Sequence, residues 1–169
     1  YYRLTRDNRI LWGGYDATYH YRSGFGPQYE SSAKSWPKLA DHFFSTFPQL
    51  EGLRFEYAWS GAIDTCTRFS AFWGTAMNDK IVYVAGYTGL GVGASRFGAQ
   101  VAIDKLLDRE TDRRELEMTN TLPIPFPPEP FRAAGINFTR WSLDQADRNK
   151  GKRNIWLRSL DRLGMGFDS

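Results

Sequence analysis

A single cysteine, Cys66, in 169 residues leaves no partner for an intrachain disulfide. Only His20 and His42 represent histidine, too few and too far apart in sequence for metal-ligand spacing, so no metal is expected and surface or packing roles are assigned to both. No apolar run is long enough to span a bilayer and no secretory leader pattern is present, so neither a membrane partner nor an exported state is expected. With one free thiol, a reducing cytoplasm is the expected compartment. Excess charge of one sign is also nearly absent. The net charge of +3 is spread along the chain, and the basic residues Lys150, Lys152 and Arg153 are interleaved with Asp144, Asp147 and Asp161. That pattern reads as a solvated helix connection and excludes a nucleic-acid face.

Aromatic residues, in contrast, make up 16% of the chain. Such rings fill cores or line cavities for flat ligands, and core filling is the commoner use. Hydrophobic residues at 41% and charged residues at 24% are those of a folding, globular chain. The opening Tyr1-Tyr2 already has strand character, with no initiator methionine, which reads as a fragment boundary.

Along the chain, residues 1–14 predict a β-hairpin turning at Asp7 and Asn8. Residues 17–28, rich in Tyr, Gly and Ser, read as a long loop. Trp36, Leu39, Ala40, Phe43, Phe44 and Phe47 have helical spacing that predicts one amphipathic helix over residues 29–47, ended by Pro48. Phe55, Tyr57 and Trp59 alternate as in a strand over residues 53–63. Residues 67–73 predict a further strand, and residues 80–85 (KIVYVA) one apolar enough to be buried on both faces. After Asp108 come a charged stretch, an extended Pro-rich segment at residues 122–130, and helices over residues 131–148 and 154–163 broken at Gly151.

The chemistry-bearing feature is the glycine segment Gly86, Tyr87, Thr88, Gly89, Leu90, Gly91 and Val92, between the strand at 80–85 and a helix over 94–107. A strand that turns through glycines into a helix brings unpaired N–H groups and the positive end of the helix dipole to a place free of side chains, where an electron-rich group can approach. The same pattern also serves as a tight turn with close helix packing. Its spacing fits neither the P-loop nor the Rossmann fingerprint. Gly91 reads as the position where a β-branched residue would block approach and resist a positive φ.

Four segments in order carry a resemblance: residues 9–14 (RILWGG), 47–50 (FPQL), 57–61 (YAWSG) and 84–92 (VAGYTGLGV). Together they resemble the C-terminal part of D-amino-acid-oxidase-like FAD-dependent oxidoreductases, including γ-glutamylputrescine-oxidase-like enzymes. The resemblance runs over about residues 1–107, and the last helices resemble an extension of a bacterial subgroup. It implies a division into residues 1–108, with substrate-domain strands and a flavin-covering loop, and residues 109–169, a connection and helical extension. It implies FAD as cofactor, held partly by the backbone of residues 86–92 near the ring edge that gains negative charge on reduction. A small amine would lose a hydride to the flavin, with Trp12 and Trp59 on the substrate side. The partner implied is an N-terminal FAD-binding Rossmann half outside this sequence, without which the chain would be inactive and would self-associate.

Departures narrow the reading. Many relatives have Thr-Pro-Asp where this chain has Cys66-Thr67-Arg68, and some carry within the glycine segment a carboxylate-binding Arg that is missing here. A simple α-amino-acid substrate is thereby disfavoured. Cys66 is expected to be a buried thiol rather than a flavin attachment point. Asp16 and Asp64 have no evident partner and read as turn residues, so the catalytic residues stay unknown. The fold class is α+β: a mixed or antiparallel sheet with a long helix, one strand–glycine–helix unit and a helical tail. The alternative is a non-catalytic binding or regulatory module with an aromatic-lined groove to which residues 17–28 contribute.

Overall fold

The computed structural model describes residues 1–14 and 17–165. The backbone divides into two compact units, Tyr1–Ala62 and Ile63–Ser169.

In the first unit, β1 (Tyr2–Leu4) and β2 (Ile10–Trp12) pair antiparallel, with Tyr2 opposite Trp12. Asn8 at φ +59° makes the turn, a conformation its short polar side chain tolerates. Helix α1 (Ser35–Thr46) begins later than the periodicity predicts, because a 3₁₀ turn occupies Pro27–Tyr29 and Ser32 Oγ accepts the Ser35 N–H at 3.1 Å. It ends where Pro48 restrains Phe47. The aromatic residues of this unit make its core. Phe43 is buried among Trp12, Phe47 and Phe55, with ring centroids 5.6, 5.5 and 5.3 Å away.

The expected strand over residues 53–63 does not form. A strand needs a neighbour for its ladder, and no described strand pairs with this segment. Side chains hold it instead. Phe55 packs on Phe43 and Phe44, Ser60 donates to the Glu30 carbonyl at 2.7 Å, and the Arg9 guanidinium lies over the Tyr57 ring.

In the second unit, β3 (Phe72–Ala76) and β4 (Ile81–Ala85) form an antiparallel hairpin, and α2 (Gly91–Leu106) lies against it. Residues 67–70, expected as strand, form a turn. Ala71, Trp73 and Val101 are the buried centre, with Val82, Val84, Tyr87, Phe97 and Met118 around them. The Trp73 indole N–H donates to the Gly98 carbonyl at 3.0 Å, which satisfies its one polar atom inside the core. Strand β4 is not buried on both faces. Val82 and Val84 turn inward, while Ile81 and Tyr83 are 44% and 43% exposed because α2 covers one face only.

The charged stretch after Asp108 becomes two short helices, α3 (Asp112–Glu115) and α4 (Glu117–Asn120). Asp104 explains their place. Its buried carboxylate, on α2, accepts from Arg113 Nε and, at 2.9 Å, from Thr111 Oγ1. Residues 121–128 carry no helix or strand, as the prolines require, and Ile124 is tied by its carbonyl to Thr67 Oγ1. Helices α5 (Phe131–Arg148) and α6 (Ile155–Arg162) close the chain at nearly the expected bounds. Asn154 joins them, accepting from the Leu157 N–H at 3.0 Å and donating to the buried Ser142 hydroxyl at 3.0 Å.

The class is α+β, built among the described residues on two antiparallel hairpins rather than one sheet. No helix among the described residues is long and apolar enough to cross a membrane.

Candidate functional site

Strand β4 delivers the chain at Ala85 into the glycine segment, and α2 begins inside that segment, at Gly91. Three of its residues take left-handed backbone: Gly86 at φ +75°, Thr88 at +51° and Gly89 at +83°. For the glycines this is permitted; for β-branched Thr88 it is strained. Gly86 has a second requirement. A Cβ there would stand 3.0 Å from the Phe72 ring and 3.2 Å from Cys66 Sγ. Gly91, singled out in the sequence for positive φ, has no such backbone, and a Cβ would meet only the Tyr87 side chain at ordinary distance. The demand for glycine therefore sits at Gly86 and Gly89.

The turn leaves donors free. Leu90 N–H returns to the Tyr87 carbonyl at 2.9 Å, and the N–H groups of Gly93 and Ala94 go to the Leu90 carbonyl. Among the described residues the N–H groups of Gly89, Gly91 and Val92 have no hydrogen-bond partner. Space lies beside them. Nothing stands within 4 Å of a Cβ built on Gly93, only Ile63 Cδ1 at 3.9 Å approaches one on Gly89, and Val92 is fully exposed. Three free donors at a helix N-terminus, with no side chain filling the space, suit an electron-rich planar edge, the character of a flavin's carbonyl side. Tyr87 contributes differently. Its ring packs on the core and its hydroxyl lies against Gly98, where burial pushes the phenol up.

One residue that sequence reasoning set aside belongs here. Asp64, read as a surface turn residue, accepts the Gly86 N–H on its carboxylate at 2.6 Å and the Thr88 N–H on its carbonyl at 2.8 Å. Thr65 Oγ1 lies 2.9 Å from Thr88 Oγ1, which also donates to the Gly86 carbonyl at 3.1 Å. No motif announces a tie between a side chain and a backbone donor 22 residues on.

The remaining candidates separate. Trp12 is half-buried, its indole N–H bound to the Leu39 carbonyl at 3.0 Å. Trp59 is 66% exposed in the irregular segment, and no ring contact joins the two. Cys66 is buried and donates to the Ser70 carbonyl. Arg68 is a brace, donating to carbonyls of Ala71, Met118 and Thr121. His20 stacks on Tyr29, and no cluster that could hold a metal occurs among the described residues. Asp16 lies outside them.

Residues 1–105 match the model of the family described as DAO, FAD dependent oxidoreductase, a span that includes the hairpins, the Asp64 contacts and the glycine segment. The chain belongs to this family. It is similar to gamma-glutamylputrescine oxidoreductase of Escherichia coli, at 34% identity over 144 residues that cover 82% of this chain and 31% of that protein. It is also similar to the probable oxidoreductase OrdL of Haemophilus influenzae, at 26% identity over 125 residues, 74% of this chain and 25% of that one. The chain thus spans between a quarter and a third of the curated relatives it matches. No solved structure matches it significantly.

Proposed function

We propose that this chain supplies the flavin-covering segment and substrate-side elements of an FAD-dependent oxidoreductase acting on an amine or amino-acid-like substrate. The observation that carries the reading is the group of free N–H donors at Gly89, Gly91 and Val92, which lies inside the span matched by the family. When bound, FAD supplies the acceptor for the hydride removed from the amine-bearing carbon. The part of this chain is electrostatic: preorganised backbone donors and a helix N-terminus favour negative charge on the facing edge of the cofactor.

The amine class follows the name of the Escherichia coli relative, and the absence of an Arg from residues 86–92 disfavours a plain α-amino-acid carboxylate. Trp12 and Trp59 belong to the substrate side in this reading. Residues 1–108 are the oxidoreductase portion and 109–169 an extension, a division supported by the end of the family match at residue 105. The pyrophosphate and adenosine of FAD take their contacts from a dinucleotide-binding half, which is the partner proposed for this chain, in the cytoplasm. The coverage of the relatives supports that division of labour.

The visible spectrum of the full-length protein tests the reading. A flavin band is expected, bleached anaerobically by a γ-glutamylated diamine and much less by free α-amino acids. A protein without flavin ends the proposal. The 169 residues alone should be colourless and inactive, and a stoichiometric yellow flavin on them would overturn the need for a second half.

A further inference from the structure

We propose that Asp64 is the positioning residue of the glycine segment, and that its two oxygens set the direction of the donors offered to the flavin. The proposal rests on the flavin reading above and deepens it. Asp64 grips the segment twice: the carboxylate takes the Gly86 N–H at 2.6 Å and the main-chain carbonyl takes the Thr88 N–H at 2.8 Å. Neither donor has another partner. Gly86 follows the last residue of β4 and Thr88 precedes α2, so strand and helix both leave these N–H groups unserved.

The residue between the free donors and the grip is Thr88. Its φ of +51° is unfavourable for a β-branched side chain and persists only if the surroundings hold it. Asp64 holds its N–H, and Thr65 and the Gly86 carbonyl engage its hydroxyl. The N–H of Gly89 belongs to the peptide plane that follows Thr88, so the backbone torsions of Thr88 and Gly89 decide where that donor points. Without the carboxylate's hold on Gly86, two residues earlier, the end of β4 can shift and carry Thr88 and the plane that follows it. Gly86 adds a penalty of its own. It is buried, and a buried N–H deprived of its acceptor is costly.

Asparagine keeps an acceptor oxygen at the same place, whereas alanine removes it, so the pair Asp64→Ala and Asp64→Asn separates the hydrogen bond from the charge. In the 169-residue chain, site-resolved amide exchange should accelerate at Gly86 by about tenfold or more in Asp64→Ala, while the Thr88 N–H keeps the main-chain carbonyl of residue 64 as its acceptor. Exchange at Gly86 should return close to the parent rate in Asp64→Asn, with the β3–β4 ladder unchanged in both. In the flavin-loaded protein, Asp64→Ala should weaken flavin binding by about tenfold, and Asp64→Asn should recover most of it. Unchanged exchange at Gly86 in Asp64→Ala overturns the role of Asp64 and leaves the flavin reading intact. Faster exchange with unaltered flavin binding shows instead that the segment does not meet the flavin, which overturns both.

Discussion

At the residue scale, glycine and a buried carboxylate give the sharpest expectations. Gly86→Ala forces a Cβ into left-handed backbone and against Phe72 and Cys66, and should cost about 1–3 kcal/mol in urea unfolding. Gly91→Ala, by contrast, starts α2 without strain and should change stability by less than about 1 kcal/mol. Equal losses at the two positions would show that the segment tolerates no side chain anywhere. Asp104 makes stability depend on pH. The Arg113 guanidinium beside it holds its carboxyl below the usual 3.8, against the opposing effect of burial, and Thr111 adds to the lowering. A depressed folded value means that the stabilisation is present above the unfolded value of about 4 and is lost as pH falls through the lower folded one. Urea midpoints measured between about pH 2.5 and 6 should therefore fall steeply at the acid end in the parent. Asp104→Asn should flatten that fall, and an identical slope in both proteins would remove Asp104 from the account.

At the scale of elements, Asn154 is the test case. It caps α6 through the Leu157 N–H and reaches back to Ser142 on α5, so Asn154→Ala should cost about 1–2 kcal/mol, and Asn154→Ser should recover the cap but not the link. Equal stability in all three would make the cap dispensable. The bounds of α5 and α6 were legible because their signals are local: apolar spacing, a capping Asn and Gly151 at φ +79° between them. The first hairpin was legible for the same reason. What failed depends on partners. Alternation at Phe55, Tyr57 and Trp59 specifies a face but not the neighbour whose backbone would make it a strand, and β4 looked doubly buried because its outward Ile81 and Tyr83 are as apolar as its inward valines. Helices α3 and α4 escaped notice because their apolar content is too low to show a period. Their anchor is one carboxylate on α2. In the candidate site, the strand–glycine–helix frame was readable, whereas the Asp64 grip was invisible, being a contact from a side chain to a backbone donor.

For the molecule as a whole, the uncovered face of β4 has a consequence in solution. A two-stranded hairpin with Ile81 and Tyr83 outward leaves ladder edges and apolar surface together, features that favour association with another chain. The chain should therefore self-associate at low micromolar concentration, seen as concentration-dependent sedimentation and binding of an apolar dye. A monomer that ignores the dye would mean that this face is covered within one chain. Tyr83→Lys should shift the equilibrium toward monomer without unfolding the hairpin.

The anchoring of α3 bears on where the chain can be cut. The family match stops at residue 105, one position beyond Asp104, yet the groups that satisfy Asp104 are Thr111 and Arg113, on the other side of that border. The end of the family match is thus no place to cut. The matched span holds a buried carboxylate whose partners lie beyond it, so the two stretches depend on each other. Ending the chain at residue 105 would strand that carboxylate, whereas Asp104→Asn would remove the charge that needs those partners.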